Sequence, residues 1–111
     1  MTTVTAAHLT VEETRTAEDV VLVLTGEIDM ATVGDLRAAA ERTMATPPAR
    51  VVLDFGGVTF CDSQGLSALI GLNRVVSAGG SRLVFVNVGD FMGRLLDITG
   101  LRAAFDVVDS A

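Results

Sequence analysis

Three short apolar segments with helical patterns between them place the strongest constraint on how this chain folds. VVLVLTG (20–26), VVLDF (51–55) and LVFVNV (83–88) are apolar at successive positions, which is typical of strands buried on both faces. Before them, HLTVEE alternates at Leu9 and Val11, and the short turn TAED predicts an antiparallel hairpin with 20–26. Strands that alternate with helices form largely parallel sheets. The sequence therefore predicts an α/β fold with a mostly parallel mixed sheet and an antiparallel N-terminal edge.

Three helices are predicted between and after these strands. The first begins after Thr32, which together with Asp35 resembles a capping box. The second spans about 63–76 and follows GGVTFC (56–61), which is expected to connect it to the preceding strand. With a short last strand or helix around 105–108, we expect four to five strands flanked by three to four helices.

The third helix is predicted to begin at Asp90 and to end at Gly100, because these residue types favour helix starts and helix ends. Phe91, Leu95 and Ile98 recur at helical spacing along it. The pattern predicts that these three side chains face the core.

Composition bounds the class of protein. The chain has 111 residues, half of them hydrophobic, which suits one domain over residues 1–111 with its core at about 8–108. Its formal net charge of −6 argues against nucleic acid and against an anionic membrane surface as partners. The single cysteine, Cys61, forms no internal disulfide, and no secretory signal is recognised. A cytoplasmic protein is expected.

The residue types that are missing exclude several kinds of chemistry. All eight basic residues are arginine, so mechanisms that need a lysine base, Schiff base or Walker lysine are excluded. The chain has one histidine, His8, and a histidine-rich metal site needs several. No catalytic residue, metal or cofactor is expected, apart from one alternative that centres on Asp54.

Two polar clusters follow predicted strands, where open α/β sheets place their functional residues. Gly26–Asp29 follows one strand and Asp62–Gly65 precedes the second helix, so Asp29 and Ser63 are expected to lie near each other if the strands are neighbours. Asp62 and Ser63 are good helix caps. As a nucleophile, Ser63 lacks a base and the GxSxG pattern. Gly65 weakens the helix and permits a close approach to the backbone.

An enzymatic alternative centres on Asp54. VVLDFGGVTF resembles the first motif of haloacid dehalogenase-type phosphohydrolases, in which the aspartate after a buried strand is the nucleophile. That family also uses a lysine, which this chain lacks, and a downstream acidic pair that holds magnesium. The competing interpretation of Asp54 is a polar strand residue before a Gly-Gly turn.

The segment FCDSQGLSALIGL (60–72) resembles the signature of STAS domains, especially the free-standing anti-sigma factor antagonists, in which a strand runs into Asp-Ser-(Ser/Thr)-Gly-Leu and an apolar helix. LTGEIDMAT (24–32) resembles the family's L-x-G-E-(L/I/V)-D stretch before the first helix. FMGRLLDITGLRAAFDVV (91–108) is similar to the end of the family. The likeness spans about residues 8 to 108, and the order of elements fits that fold.

The resemblance implies a regulatory protein and no enzyme. The unphosphorylated form would bind an anti-sigma factor that is also a serine kinase and release the sigma factor, which is a partner switch in transcription and stress response. Phosphorylation of Ser63 would switch it off, and a PP2C-type phosphatase would reverse this. The implied partner-binding residues are Asp29, Asp62, Ser63, Gln64, Gly65 and Ser67. Gln64 departs from the family's Ser or Thr, and Ser67 departs from its Gly.

A second STAS role is left open by the same motifs. A stressosome-like scaffold or a transporter-associated accessory subunit would share the fold. The short chain and the DS-x-GL site favour the free antagonist, and a weak homodimer is compatible with the sequence.

Overall fold

The computed structural model describes residues 2–5 and 9–108, and His8 lies outside them. The strands are β1 Thr2–Thr5, β2 Leu9–Arg15, β3 Asp19–Ile28, β4 Arg50–Cys61, β5 Arg82–Val86 and β6 Asp106–Val107. The helices are α1 Val33–Met44, α2 Ser63–Ala78 and α3 Asp90–Thr99, with a 3₁₀ turn at Arg102–Ala104.

The strands form one mixed sheet in the order β1-β2-β3-β4-β5-β6. β1 and β3 both pair antiparallel with β2, whereas β3, β4, β5 and β6 are parallel neighbours. The predicted α/β class, the hairpin and the antiparallel N-terminal edge are confirmed. The described residues contain one strand more than the predicted maximum, because the short threonine-rich segment β1 adds to the edge.

β4 differs from its prediction, because GGVTFC is not a connection but the second half of the strand. β3 is also long, and the two strands stay paired as far as Ile28 and Cys61, with register shifts between Val23 and Thr25 and between Gly26 and Glu27. A Cβ at Gly57 would lie 2.9 Å from Thr25 Oγ1 and 3.0 Å from Leu24 O. A glycine here therefore permits close strand contact at an irregularity and does not mark a turn.

The main core lies between one face of the sheet and the three helices. Leu22, Leu53 and Phe85 from the strands belong to the same cluster as buried side chains of α1, α2 and α3. A separate small cluster on the opposite face consists of Val52, Val84 and Val86, which alternate along the strands with the residues of the main core. Because strand side chains alternate between faces, this division places all three helices on one side of the sheet.

Two helix predictions were wrong in detail. Thr32 is the N-cap residue of α1, but its side chain makes no capping bond to the helix. In α3 the buried residues are Met92, Gly93 and Leu96. Phe91 and Ile98 are instead exposed, at 46% and 76%. Apolar side chains lie on more than one side of α3, so helical spacing alone did not identify the buried side.

Candidate functional site

The two polar clusters meet where β3 and β4 end. Ile28 and Cys61 are paired, and the backbone N–H of Asp62 donates to Ile28 O at 3.2 Å. Asp29 directly follows Ile28, and Ser63 is the second residue after Cys61. The structure thus brings together the segments that the sequence analysis expected at neighbouring strand ends.

Asp62 caps helix α2. Its Oδ1 accepts a hydrogen bond from the backbone N–H of Gly65 at 2.9 Å, and its extended backbone is that of an N-cap residue. The cap interpretation of Asp62 is confirmed. Ser63 is the first helical residue and is exposed. Within 9–108, no hydrogen bond engages Ser63 Oγ, so its hydroxyl is available at the positive end of the helix.

Gly65 is buried, and its close neighbours belong to the same chain. A Cβ added there would lie 2.7 Å from both Cys61 Sγ and Ile28 O. The missing side chain lets the first turn of α2 rest on the ends of β3 and β4. The close approach suggested by this glycine is therefore made by the chain's own strand ends.

The loop after β3 is fixed by the buried Thr32, which the sequence analysis assigned to capping α1 instead. Thr32 Oγ1 accepts from the backbone N–H of Asp29 at 2.9 Å and donates to Glu27 O at 2.9 Å. Asp29 Oδ1 accepts from the N–H of Ala31 at 3.0 Å. Thr32 therefore stabilises the turn that carries Asp29, and its spacing from Asp29 was the only signal in the sequence.

Gln64 and Ser67 lie on the solvent side of α2. Both side chains are exposed, and Ser67 is one helical turn beyond Ser63. Asp62, directly before Ser63, and Asp29, directly after the paired end of β3, are both half-buried. We name these five residues (Asp29, Asp62, Ser63, Gln64, Ser67) the serine surface. Its two formal charges are both negative.

Cys61 lies beneath this surface as a free, buried thiol. It is 3% exposed. Burial, with a smaller contribution from the charge of Asp62, raises the pKa of Cys61 to about 12. Because the thiolate is the reactive form, this cysteine is an inert packing residue at neutral pH.

Two aromatic side chains, one of them three residues before Ser63, are exposed, which the sequence analysis did not predict. Phe60 precedes Cys61 at the end of β4 and is 41% exposed, and Phe91 lies in the first turn of α3. Their ring centroids are 6.1 Å apart, with 31° between the ring planes. Met30, beside Asp29, is also exposed.

The surroundings of Asp54 do not resemble a metal-dependent hydrolase. Its Oδ1 accepts from the N–H of Gly56 at 2.8 Å and its Oδ2 accepts from Asn87 Nδ2 at 3.0 Å. Among the described residues, no group of three acidic, histidine or cysteine side chains is placed to hold a metal ion. Asp54 therefore acts as a structural residue that ties β4 to the end of β5.

The fold and the serine surface together identify the class of protein. A family model described as "Mlab, STAS domain" matches residues 11–109. The chain therefore belongs to the STAS domain family. In the described residues, no helix is both long and apolar enough to cross a membrane.

Individual relatives are similar to this chain in sequence or in fold. The anti-sigma-B factor antagonist of Staphylococcus epidermidis is 31% identical over 77 residues, which are 69% of this chain and 71% of the relative. An anti-sigma factor antagonist from Mycobacterium paratuberculosis superposes with a TM-score of 0.80 at 27% identity, covering 94% of this chain and 89% of that one. The Bacillus cell fate determinant SpoIIAA in its phosphorylated form shares the fold, with a TM-score of 0.70, 24% identity and 91% of each chain covered.

Proposed function

We propose that this STAS protein is an anti-sigma factor antagonist that is switched by phosphorylation. Its unphosphorylated form binds an anti-sigma factor that is also a serine kinase, and this releases the sigma factor. Transfer of a phosphoryl group to Ser63 ends the interaction, and a PP2C-type phosphatase restores it. The protein acts in the cytoplasm as a regulatory binding protein and not as an enzyme.

One observation carries the proposal: Ser63 is an exposed first residue of α2 whose neighbours hold the helix while leaving its hydroxyl free. Asp62 supplies the cap and Gly65 supplies the packing contact. A kinase can therefore reach Ser63 without unfolding the helix. The names of the staphylococcal and mycobacterial relatives support an antagonist role.

The electrostatics at Ser63 predict a local switch. A phosphate adds about −1.5 to −2 charges. The N-terminus of α2 favours this anion by roughly 0.3–1 kcal/mol, whereas Asp62 and Asp29 oppose it by like-charge repulsion. These contributions partly cancel, so phosphorylation should leave the fold intact and act through bulk and charge at the serine surface. Two-dimensional NMR shifts spread throughout the sheet after phosphorylation would contradict this reasoning.

The decisive experiment begins with the protein isolated from its own cells under growth and under stress. Peptide mass spectrometry should find a phosphate on Ser63 whose occupancy changes with condition. Each serine-kinase anti-sigma factor encoded in the same genome is then purified and incubated with the chain and ATP. Ser67→Ala should be phosphorylated like the wild type, and Ser63→Ala should not.

Other outcomes separate the alternatives. A Ser63 that stays unmodified under every condition and with every kinase would refute the switch and favour a constitutive scaffold role. Phosphate on Ser67 with none on Ser63 would move the acceptor site by one turn of the helix. Size-exclusion chromatography adds an independent readout, because a large homo-assembly indicates a scaffold subunit.

A further inference from the structure

The two exposed phenylalanines are an exception in this protein. Of its five phenylalanines, Phe55, Phe85 and Phe105 pack in the core, with adjacent ring centroids 4.7 and 4.5 Å apart. Phe60 and Phe91 instead keep 41% and 46% of their surface exposed. An exposed pair of large aromatic side chains is costly in water unless a partner covers it.

The fold creates this pair from two separate elements. α3 turns Met92, Gly93 and Leu96 towards the core, so Phe91 is left on the outside of its first turn. The end of β4 extends beyond β5 and presents Phe60 beside it. Neither ring belongs to the two core clusters of the described residues.

The position of the pair joins it to the serine surface. Phe60 lies three residues before Ser63, and an extended chain of that length spans no more than about 10 Å. The backbone of Phe60 is thus close enough to Ser63 for one protein interface, which covers roughly 800 Å² per partner, to reach both positions.

Charge indicates what covers the pair. The segments that carry these residues, 26–32, 60–67 and 89–93, contain four acidic residues and no basic one, and the exposed Arg94 follows directly after the third segment. The acidic residues are Glu27, Asp29, Asp62 and Asp90. An apolar centre with an acidic border fits an apolar socket with a basic border.

We propose that Phe60 and Phe91 form an aromatic anchor that enters an apolar socket on the anti-sigma factor, with arginine or lysine side chains of that partner around it. This inference rests on the proposed function, since it assigns the partner's main apolar contact. Phosphorylation of Ser63 would then place its charge at the edge of the anchored interface and speed dissociation. Aromatic residues near the centre of an interface commonly carry much of its affinity.

The test measures the Kd of the unphosphorylated chain for the purified kinase that phosphorylates Ser63, by isothermal titration calorimetry. Phe91→Ala should weaken binding about tenfold or more, because the anchor loses one ring. Ile98→Ala is the matched control, since Ile98 is 76% exposed at the far end of the same helix, and it should change the Kd less than about twofold. Phe60→Thr, which keeps strand propensity, should act like Phe91→Ala.

The charge border has its own test. Asp90→Asn should weaken binding at low salt, and the difference should shrink as salt screens the charges. Glu41→Gln, an exposed acidic residue of α1, is the control for net charge and should have no such effect. An affinity that does not respond to salt would refute the basic border of the socket.

The outcomes keep this inference separate from the proposed function. Normal phosphorylation of Ser63 with equal affinities for wild type, Phe91→Ala and Ile98→Ala overturns the anchor alone. If the wild type neither binds any of these kinases nor is phosphorylated by one, the proposed function is overturned and the anchor with it. Circular dichroism melts of each variant exclude unfolding as the cause of weaker binding.

Discussion

The buried thiol of Cys61 makes the alkaline stability of this protein a direct test of the site's packing. Burial raises the pKa of Cys61 from 9.0 to about 12 in the folded state. Between these values the unfolded chain has lost the thiol proton while the folded chain keeps it. The unfolded state then binds fewer protons, so the free energy of unfolding falls as pH rises. The stabilisation is complete below about pH 9 and is lost progressively towards pH 12.

The expected magnitude follows from the size of the shift. One pKa unit corresponds to about 1.4 kcal/mol, so at about pH 10.5 the folded state should have lost about 2 kcal/mol relative to about pH 8.5. The chain has no tyrosine and no lysine, so in this window Cys61 is the only side chain type that titrates. Arginines ionise higher and the α-amino group lower. The composition thus leaves the thiol of Cys61 as the one side chain whose titration changes the free energy of unfolding in this pH range.

Urea unfolding followed by far-ultraviolet circular dichroism, with a reductant present, measures this loss. The wild type should lose about 2 kcal/mol between the two pH values, and Cys61→Ala should change by less than about 0.5 kcal/mol. The ultraviolet absorbance of the thiolate gives a second readout, since no tyrosinate overlaps it. If the wild type and Cys61→Ala respond alike, or the folded thiol titrates near 9, then water reaches Cys61 and the packing described for Gly65 is wrong.

Three further predictions concern the first turn of α2. Gly65→Ala should lower the free energy of unfolding by about 1–3 kcal/mol, because its methyl group would lie 2.7 Å from Cys61 Sγ and Ile28 O. Gly71→Ala, in the same helix, places its methyl group in open space and should raise it by about 0.5–1 kcal/mol. Urea unfolding measures both. Asp62→Ala should cost about 1 kcal/mol through the lost cap and Asp62→Asn much less; equal losses in thermal melts would contradict the cap assignment. Ser63→Asp should bind the anti-sigma factor more weakly than Ser63→Ala in calorimetry, and equal affinities would refute the charge account.

The class of fold could be predicted from the sequence because its signals are local. Runs such as 20–26 and 51–55 identify buried strands, and the short TAED turn identifies the hairpin. The extent of β4 could not be predicted in the same way. Gly56 and Gly57 usually indicate a turn, and only the pairing with β3 shows that the strand continues to Cys61.

The orientation of α3 shows a second limit. Phe91, Leu95 and Ile98 have helical spacing, but so do Met92 and Leu96. Which set is buried depends on how the helix rests on the sheet, a property that no local pattern contains. The aromatic anchor was missed for this reason, since the same periodicity that predicted a helix also predicted that Phe91 was buried.

At the candidate site, the cap role of Asp62 could be predicted, but not that the chain's own strand ends make the close approach at Gly65. In DSQG, Asp62 holds the helix and Gly65 admits the strand ends, so substitutions at either position alter how Ser63 is presented even if no partner touches them. Weaker partner binding in such variants therefore does not identify a contact. Gln64 and Ser67 are exposed and make none of these contacts, so their substitution tests the proposed partner surface without disturbing the cap or the packing at Gly65. A variant such as Gln64→Ser, tested for the rate of Ser63 phosphorylation, separates recognition by the kinase from stability of the helix.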